Sequence, residues 1–188
     1  MYLFIDTETG GLDPSRHSLL SLCCVVAPTF EPSAADHLLY YETMPDDMTY
    51  AVQPSALAVN RISLADRNPV AYSLVKQELL TYLRNAWEQN GRKPLILTGW
   101  NVSFDYEFVI QQLGISRAEW GRYVSHRKLD LVPIAMFMEL PLTSYALTSC
   151  AKYFGIETAG AHDARKDVEL TRAVGLKLME ERYAHKRV

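Results

Sequence analysis

The sequence lacks three features that would assign it to a special class of protein: paired cysteines, long apolar segments and an excess of basic residues. Its cysteines Cys23, Cys24 and Cys150 form neither a CxxC pair nor a zinc-type spacing, so we expect buried free thiols. No segment approaches the roughly 18 consecutive apolar residues of a membrane helix. The N-terminus has no basic stretch ahead of an apolar one. We therefore expect a cytoplasmic protein without a membrane partner.

The net charge of −3 argues against a protein that coats long stretches of duplex, because such binding needs a basic surface. A pocket that binds only a few nucleotides remains compatible with this charge. The 188 residues, of which 48% are hydrophobic, suit one globular domain with a substantial core. Since no repeat, low-complexity tract or linker interrupts the chain, we predict a single domain over residues 1–188.

The apolar pattern predicts an α/β domain. Strands are predicted at residues 2–5, 19–27, 37–42 and 95–98, with the first three forming an antiparallel meander. Helices are predicted at residues 55–62, 70–89, 104–113, 129–138, 145–154 and 164–182. Ser103 is a candidate cap for the third helix. Early hairpins followed by alternating helices and strands favour a mixed sheet.

Two acidic residues follow the first predicted strand. Asp6 and Glu8 are two positions apart, so in extended backbone their side chains lie on one face, about 6.5 Å apart. Acids at strand ends are often simply solvated. This strand, however, is a continuous apolar run of the kind that is buried on both faces, and a desolvated carboxylate needs a partner such as a cation.

Two further acids and a histidine lie near predicted helix starts. Asp105 falls in a first turn, where an acid also stabilises the helix through its dipole. Asp163 is a natural N-cap, and Asp167 lies beside the apolar stripe of the helix that follows, where an unpaired acid is costly. His162 precedes the cap on a loop. Each of these positions alone has an ordinary structural explanation.

Together, the four acids and the histidine form the set that two-metal phosphodiester hydrolysis requires. Hard cations such as Mg²⁺ or Mn²⁺ prefer carboxylate oxygens, so a cluster without cysteine fits them better than zinc. Two such ions, roughly 4 Å apart, stabilise the attacking and leaving oxygens of an in-line displacement. A histidine titrates near neutral pH and can take the proton from an attacking water.

Three segments resemble the motifs of the DnaQ-like exonucleases of the DEDDh type, which belong to the ribonuclease H-like superfamily. They are residues 4–12 (FIDTETGGL), 99–105 (GWNVSFD) and 162–167 (HDARKD), in the order and spacing of the family. Residues 145–156 resemble the helix that precedes the third motif. The five-residue spacing from His162 to Asp167 marks the histidine subtype rather than the tyrosine one.

The resemblance implies a ribonuclease H-like α/β fold, with a five-stranded mixed sheet and helices on both faces. It implies two Mg²⁺ or Mn²⁺ ions held by Asp6, Glu8, Asp105 and Asp167, with His162 as the general base. The implied activity is 3′→5′ hydrolysis of single-stranded nucleic acid, DNA somewhat favoured, releasing nucleoside 5′-monophosphates.

The resemblance also predicts substrate contacts beside the acids, at Thr7, Thr9, Leu12, Trp100, Asn101 and Phe104. Trp100 could instead pack in the core, which we favour over stacking on a base. Gly11 stands where relatives often have a threonine, and we expect this change to alter loop flexibility without removing a ligand.

A basic cluster, Arg122, His126, Arg127 and Lys128, has two interpretations. It could guide the phosphate backbone of a substrate, or it could be a solvated charge run at a helix end.

We expect a stand-alone exonuclease that acts on the 3′ end of single-stranded DNA or RNA, because Val188 lies only a few residues beyond the last predicted helix. Alternatives are a proofreading subunit bound to a polymerase, a small exoribonuclease, or a homodimer with a shared site. A non-enzymatic nucleic-acid-binding module is also possible, although such domains usually lack one of the five motif residues.

Overall fold

The computed structural model describes residues 1–184, which form a mixed six-stranded sheet covered by helices on both faces. The strands are β1 (Tyr2–Thr9), β2 (Leu19–Ala27), β3 (His37–Met44), β4 (Val70–Ala71), β5 (Leu95–Gly99) and β6 (Val124–Asp130). The helices are α1 (Pro54–Asn60), α2 (Tyr72–Gln89), α3 (Val102–Gln112), α4 (Arg117–Gly121), α5 (Leu131–Phe137), α6 (Leu147–Tyr153) and α7 (Ala164–Ala184). Within the described residues, no helix has both the length and the apolar character needed to cross a membrane.

The predicted meander is confirmed, since β1, β2 and β3 pair in antiparallel fashion. The predicted strand at residues 19–27 is confirmed as β2, which is buried along its whole length, as its continuous apolar run predicts. In the sheet, whose order is β4-β3-β2-β1-β5-β6, β1 lies between β2 and β5. The strand that carries two of the predicted metal ligands is therefore a central one.

The predicted count of five strands is wrong by one. β4 is a two-residue strand that pairs with the end of β3, at residues predicted to begin a helix. The prediction of a helix over 129–138 is also wrong at its start, because β6 continues to Asp130 and α5 begins at Leu131. β6 escaped detection because its residues 126–128 are polar and exposed and show no apolar alternation.

The helices divide the core into layers on either side of the sheet. Helices α2, α3 and α4 pack on the face that carries Leu3 and Ile5, whereas α5, α6 and α7 pack on the opposite face beside Phe4 and against one another. Helix α4 was missed, although Ser116 and Glu119 form the capping box that could have revealed it.

Candidate active site

Strand β1 and helix α7 bring three of the predicted acids together. Asp6, Glu8 and Asp167 each offer a carboxylate oxygen, and these oxygens all lie within 4.8 Å of one another. Alternation along β1 places Asp6 and Glu8 on one face of the sheet. Buried Ala164 and Val168 pack the first turns of α7 against that face, which brings Asp167 beside the other two acids.

The fourth acid, Asp105, lies outside this group of three, but its charge raises the pKa of Asp6. Its side chain is 4% exposed. Its Oδ1 accepts a hydrogen bond of 2.7 Å from the hydroxyl of Thr7, the residue between the two acids of β1. Thr7 therefore holds Asp105 next to the cluster, across 98 residues of sequence.

The turn from β5 into α3 positions Asp105, and it depends on Gly99. A Cβ at Gly99 would lie 2.8 Å from the side chain of Val102 and 3.0 Å from the carbonyl oxygen of Ile5. Asn101 takes left-handed backbone at φ 57° and is the residue before the helix. The prediction that Ser103 caps this helix is wrong, because Ser103 already lies within it.

Burial raises the pKa of all four carboxyl groups, and for Asp6 and Glu8 repulsion from the other acids of the cluster adds to this effect. The pKa of Asp6 is well above its ordinary value, through desolvation and then the charges of Asp105 and Asp167. Desolvation and the charge of Asp167 raise the pKa of Glu8 to about 8. Desolvation raises the pKa of Asp105 to about 7 even though the Thr7 hydroxyl lowers it. The pKa of Asp167 is also raised by desolvation, against the lowering effect of the His162 N–H.

His162 lies at the rim of this cluster. Its backbone is left-handed at φ 70°, and its N–H points at the Asp167 carboxylate with distances of 3.3 and 3.4 Å to the two oxygens. The side chain is exposed and lines a cavity of about 360 Å³ together with Glu8. Asp163 accepts a hydrogen bond from the Arg165 N–H at the start of α7, as expected for the predicted cap.

A second cavity, of about 310 Å³, is also lined by Glu8. Four of the predicted substrate contacts line it: Thr7, Thr9, Leu12 and Phe104. The sequence interpretation missed the rest of its lining, which comes from Gln53 and from Ser55, Ala56, Val59 and Asn60 of α1. The sequence held no signal for this part of the lining, because the exposure of Val59, at 59%, is visible only in the fold.

Hydrogen bonds hold the walls of this second cavity. The Asn60 side chain donates to the carbonyl oxygen of Thr9 over 3.1 Å, and the Thr9 hydroxyl donates to the carbonyl oxygen of Gly11 over 2.7 Å. Gly11 is explained by lack of space rather than by flexibility, because a Cβ there would lie 2.6 Å from the ring of His17.

Trp100 and Asn101 lie beside the site but do not line this cavity. The Trp100 indole N–H donates to the carbonyl oxygen of Tyr145 over 3.0 Å, and the ring packs between two core clusters, in line with the packing interpretation. The Asn101 N–H donates to Asp130 over 3.1 Å. Substrate contacts at these two residues stay predictions.

The cluster fits a hard divalent cation. It offers several carboxylate oxygens in one place, with no cysteine or histidine nitrogen among the three converging ligands. Desolvation raises the pKa values of Asp6 and Glu8, and repulsion from the neighbouring carboxylates raises them further. A bound cation would remove that repulsion, which is the physical reason for placing such acids together.

No protein-family model matches the chain. A relative from Escherichia coli, the 3′-5′ DNA exonuclease Cap18, is 24% identical over 173 residues, which cover 89% of this chain and 85% of that protein. E. coli Exonuclease I in complex with a dT13 oligonucleotide superposes with a TM-score of 0.77 at 19% identity, over 99% of this chain and 42% of that one.

The zinc-bound E. coli Exonuclease I complex with single-stranded DNA superposes with a TM-score of 0.71 at 21% identity, over 98% of this chain and 43% of that one. The chain thus spans about two fifths of the length of the Exonuclease I structures. These comparisons confirm the ribonuclease H-like α/β fold, and they confirm that the chain is similar to 3′→5′ exonucleases.

Proposed function

We propose that this protein is a metal-dependent 3′→5′ exonuclease that removes nucleoside 5′-monophosphates from single-stranded DNA. The observation that carries the proposal is the convergence of Asp6, Glu8 and Asp167 within 4.8 Å, beside an exposed histidine and a cavity large enough for a nucleotide. DNA is favoured over RNA because the relative from E. coli is named a DNA exonuclease. The single sheet built from residues 2–130 supports one domain for the chain.

The roles follow from the positions of the side chains. Asp6, Glu8 and Asp167 would hold Mg²⁺ or Mn²⁺, two ions per site, with Asp105 assisting from the neighbouring buried position. Bound divalent cations supply Lewis-acid stabilisation of the phosphate and a water with a lowered pKa. The all-carboxylate ligand set favours Mg²⁺ or Mn²⁺ for this chain, although Exonuclease I has been seen with zinc.

His162 would act as the general base, because its exposed ring lines the same cavity as Glu8 and can exchange a proton with solvent. The cavity of Leu12, Phe104 and Val59 would hold the terminal nucleotide, with apolar side chains against the base. Thr7 positions Asp105 through its hydroxyl. In this arrangement the scissile phosphate lies between the two cavities, over Glu8, which lines both.

The test is hydrolysis of matched 5′-labelled single-stranded DNA and RNA in Mg²⁺ or Mn²⁺. Stepwise shortening from the 3′ end that vanishes in EDTA, and in His162→Ala and Asp167→Asn, is the expected result. Glu169→Gln is the matched control, since Glu169 is an exposed acid on the same helix that pairs with Lys166. No shortening of either substrate by the unmodified protein would overturn the proposal.

The same assay separates the remaining alternatives. Faster shortening of RNA would favour an exoribonuclease, and metal-independent binding without shortening would favour a binding module. The polymerase partner and the homodimer stay predictions.

A further inference from the structure

Three of the four basic residues singled out in the sequence, His126, Arg127 and Lys128, lie on a bulge of the edge strand β6, whereas Arg122 is the C-terminal cap residue of α4. Leu95 is opposite Val124, and Leu97 is opposite Lys128. Between these two pairs the chain advances by four residues in β6 and by two in β5. The interpretation as a charge run at a helix end is therefore wrong for the three residues of β6, and it holds for the exposed Arg122 alone. The bulge leaves residues 126–128 exposed at an edge of the sheet.

The bulge forms one side of a concave surface of about 560 Å³. Four basic side chains line it, and we call it the basic groove: Arg117 from α4, with His126, Arg127 and Lys128 from β6. Among the described residues, no acid lines the groove. This concentration of one sign of charge contrasts with the negative net charge of the chain.

The basic side chains of the groove differ in the contacts that they already make within the protein. The Lys128 ammonium lies 3.9 Å from the centroid of the Tyr106 ring and 3.3 Å from the Ser103 hydroxyl. Arg117 pairs with Glu107 over 3.2 Å. Within residues 1–184, Arg127 makes only a backbone hydrogen bond, to the Ser125 hydroxyl, so its guanidinium has all its donors available.

Protection of a sheet edge against aggregation could explain charges and a bulge on β6 alone. It does not explain why Arg117, from a separate helix, faces the same concavity. Nor does it explain the link between the groove and the catalytic acids. Tyr106, which lines the groove, follows Asp105 directly on α3, and Lys128 contacts Ser103 one turn earlier.

We propose that the basic groove binds the phosphate backbone of single-stranded nucleic acid, on the 5′ side of the terminus held at the acidic cluster. The proposal rests on the proposed exonuclease function. Phosphate oxygens are the ligands that a guanidinium with free donors recognises best. A groove that borders the catalytic helix allows one continuous strand to occupy both places, so longer substrates gain contacts that short ones lack.

The test measures binding of 5′-fluorescent oligothymidylates of about 4 and about 16 nucleotides by anisotropy, in Ca²⁺ to occupy carboxylate sites. Arg127→Ala should weaken binding of the long probe about three- to tenfold and leave the short probe unchanged. The slope of log affinity against log salt should also fall by about 0.7 for each lost phosphate contact. Arg127→Lys should retain most of the affinity, and Arg84→Ala, an exposed arginine on α2, is the matched control.

If Arg127→Ala lowers the affinity for both probes equally, or leaves the affinity for the long probe unchanged, the proposed role of the groove is wrong. Absence of binding by the unmodified protein would also overturn it. Failure of the exonuclease proposal looks different: the unmodified protein then binds the long probe through Arg127 but shortens no substrate in Mg²⁺ or Mn²⁺.

Discussion

Arg172 and the acidic cluster both place charge inside the protein, yet only Arg172 has a full set of partners. Its guanidinium lies 2.8 Å from Asp36 Oδ2 and donates to the carbonyl oxygens of Phe30 and Glu31. The side chains of Arg172 and Asp36 are 6% and 11% exposed. The ion pair therefore ties α7 to the loop between β2 and β3.

In the acidic cluster Glu8 and Asp105 are buried and Asp6 and Asp167 are half-buried, without that compensation, so these carboxyl groups keep raised pKa values. The difference teaches that burial of charge is not itself a sign of function. Function is indicated where like charges converge and the protein supplies no counter-charge, because the missing partner must then come from outside.

The largest effect is expected from Asp6→Asn. Removing one carboxylate from the centre of the cluster should lower the exonuclease rate by at least about a thousandfold, because the ligand set for the cations is broken. The same change should raise the unfolding temperature of the metal-free protein at pH 8, since it removes a source of repulsion. Parallel rate and thermal-unfolding measurements check both signs, and a less stable variant would contradict the account of repulsion.

Arg172→Met should destabilise the fold by about 3 to 5 kcal/mol, because it leaves the Asp36 carboxylate buried without its partner. Urea unfolding would measure the loss. Pairing it with Asp36→Leu should recover most of the stability, since neither charge then remains buried. If the double variant is as unstable as the single one, the guanidinium contributes through its carbonyl contacts and not through the ion pair.

Thr7→Val tests the contact that joins Asp105 to the cluster. It keeps the shape of the side chain and removes the 2.7 Å hydrogen bond, so the pKa of Asp105 should rise further. We expect the apparent affinity for Mn²⁺ to fall about 10- to 100-fold, as for other groups that orient metal ligands. Thr7→Ser retains the hydroxyl and should retain the affinity in a Mn²⁺ titration of activity.

Low pH should stabilise the metal-free protein, because it keeps the carboxyl groups of the acidic cluster protonated. The folded-state pKa values of Glu8, about 8, and Asp105, about 7, exceed the values near 4 of an unfolded chain. The contribution of these groups is therefore complete below about pH 4 and lost as the pH rises through 7 to 8. In EDTA, the unfolding temperature of the unmodified protein should fall over this pH range more steeply than the unfolding temperature of Glu8→Gln. Addition of Mn²⁺ should raise the unfolding temperature most at pH 8.

The sequence was sufficient where a pattern was local. The apolar run of β2 predicted both of its ends, and the spacing of Asp6 and Glu8 on β1 predicted that they share a face. The position of Asp167 beside an apolar stripe predicted an inward acid. These patterns are local because alternation along a strand and periodicity along a helix fix side-chain direction without tertiary information.

The remaining features depend on contacts between distant segments. The hydrogen bond from Thr7 to Asp105 and the wall that α1 contributes to the cavity have no local signature. The strand β6 also lacks a local signature, because its middle residues are exposed and polar. The basic residues of that strand were noticed, but only the bulge shows that they share a concave surface with Arg117.

The smallest effect is expected at the cavity that we propose for the terminal nucleotide. Leu12 is 81% exposed although it lines a cavity together with Glu8, which suits a side chain that is covered only when a base is bound. Leu12→Ala should raise KM about three- to tenfold, because the variant buries less apolar surface when a base binds. The fold and the metal dependence should be unchanged. Leu38→Ala, on β3 and 58% exposed, is the matched control. A fall in kcat at unchanged KM would instead assign Leu12 to alignment of the scissile phosphate, and would move the nucleotide away from this cavity.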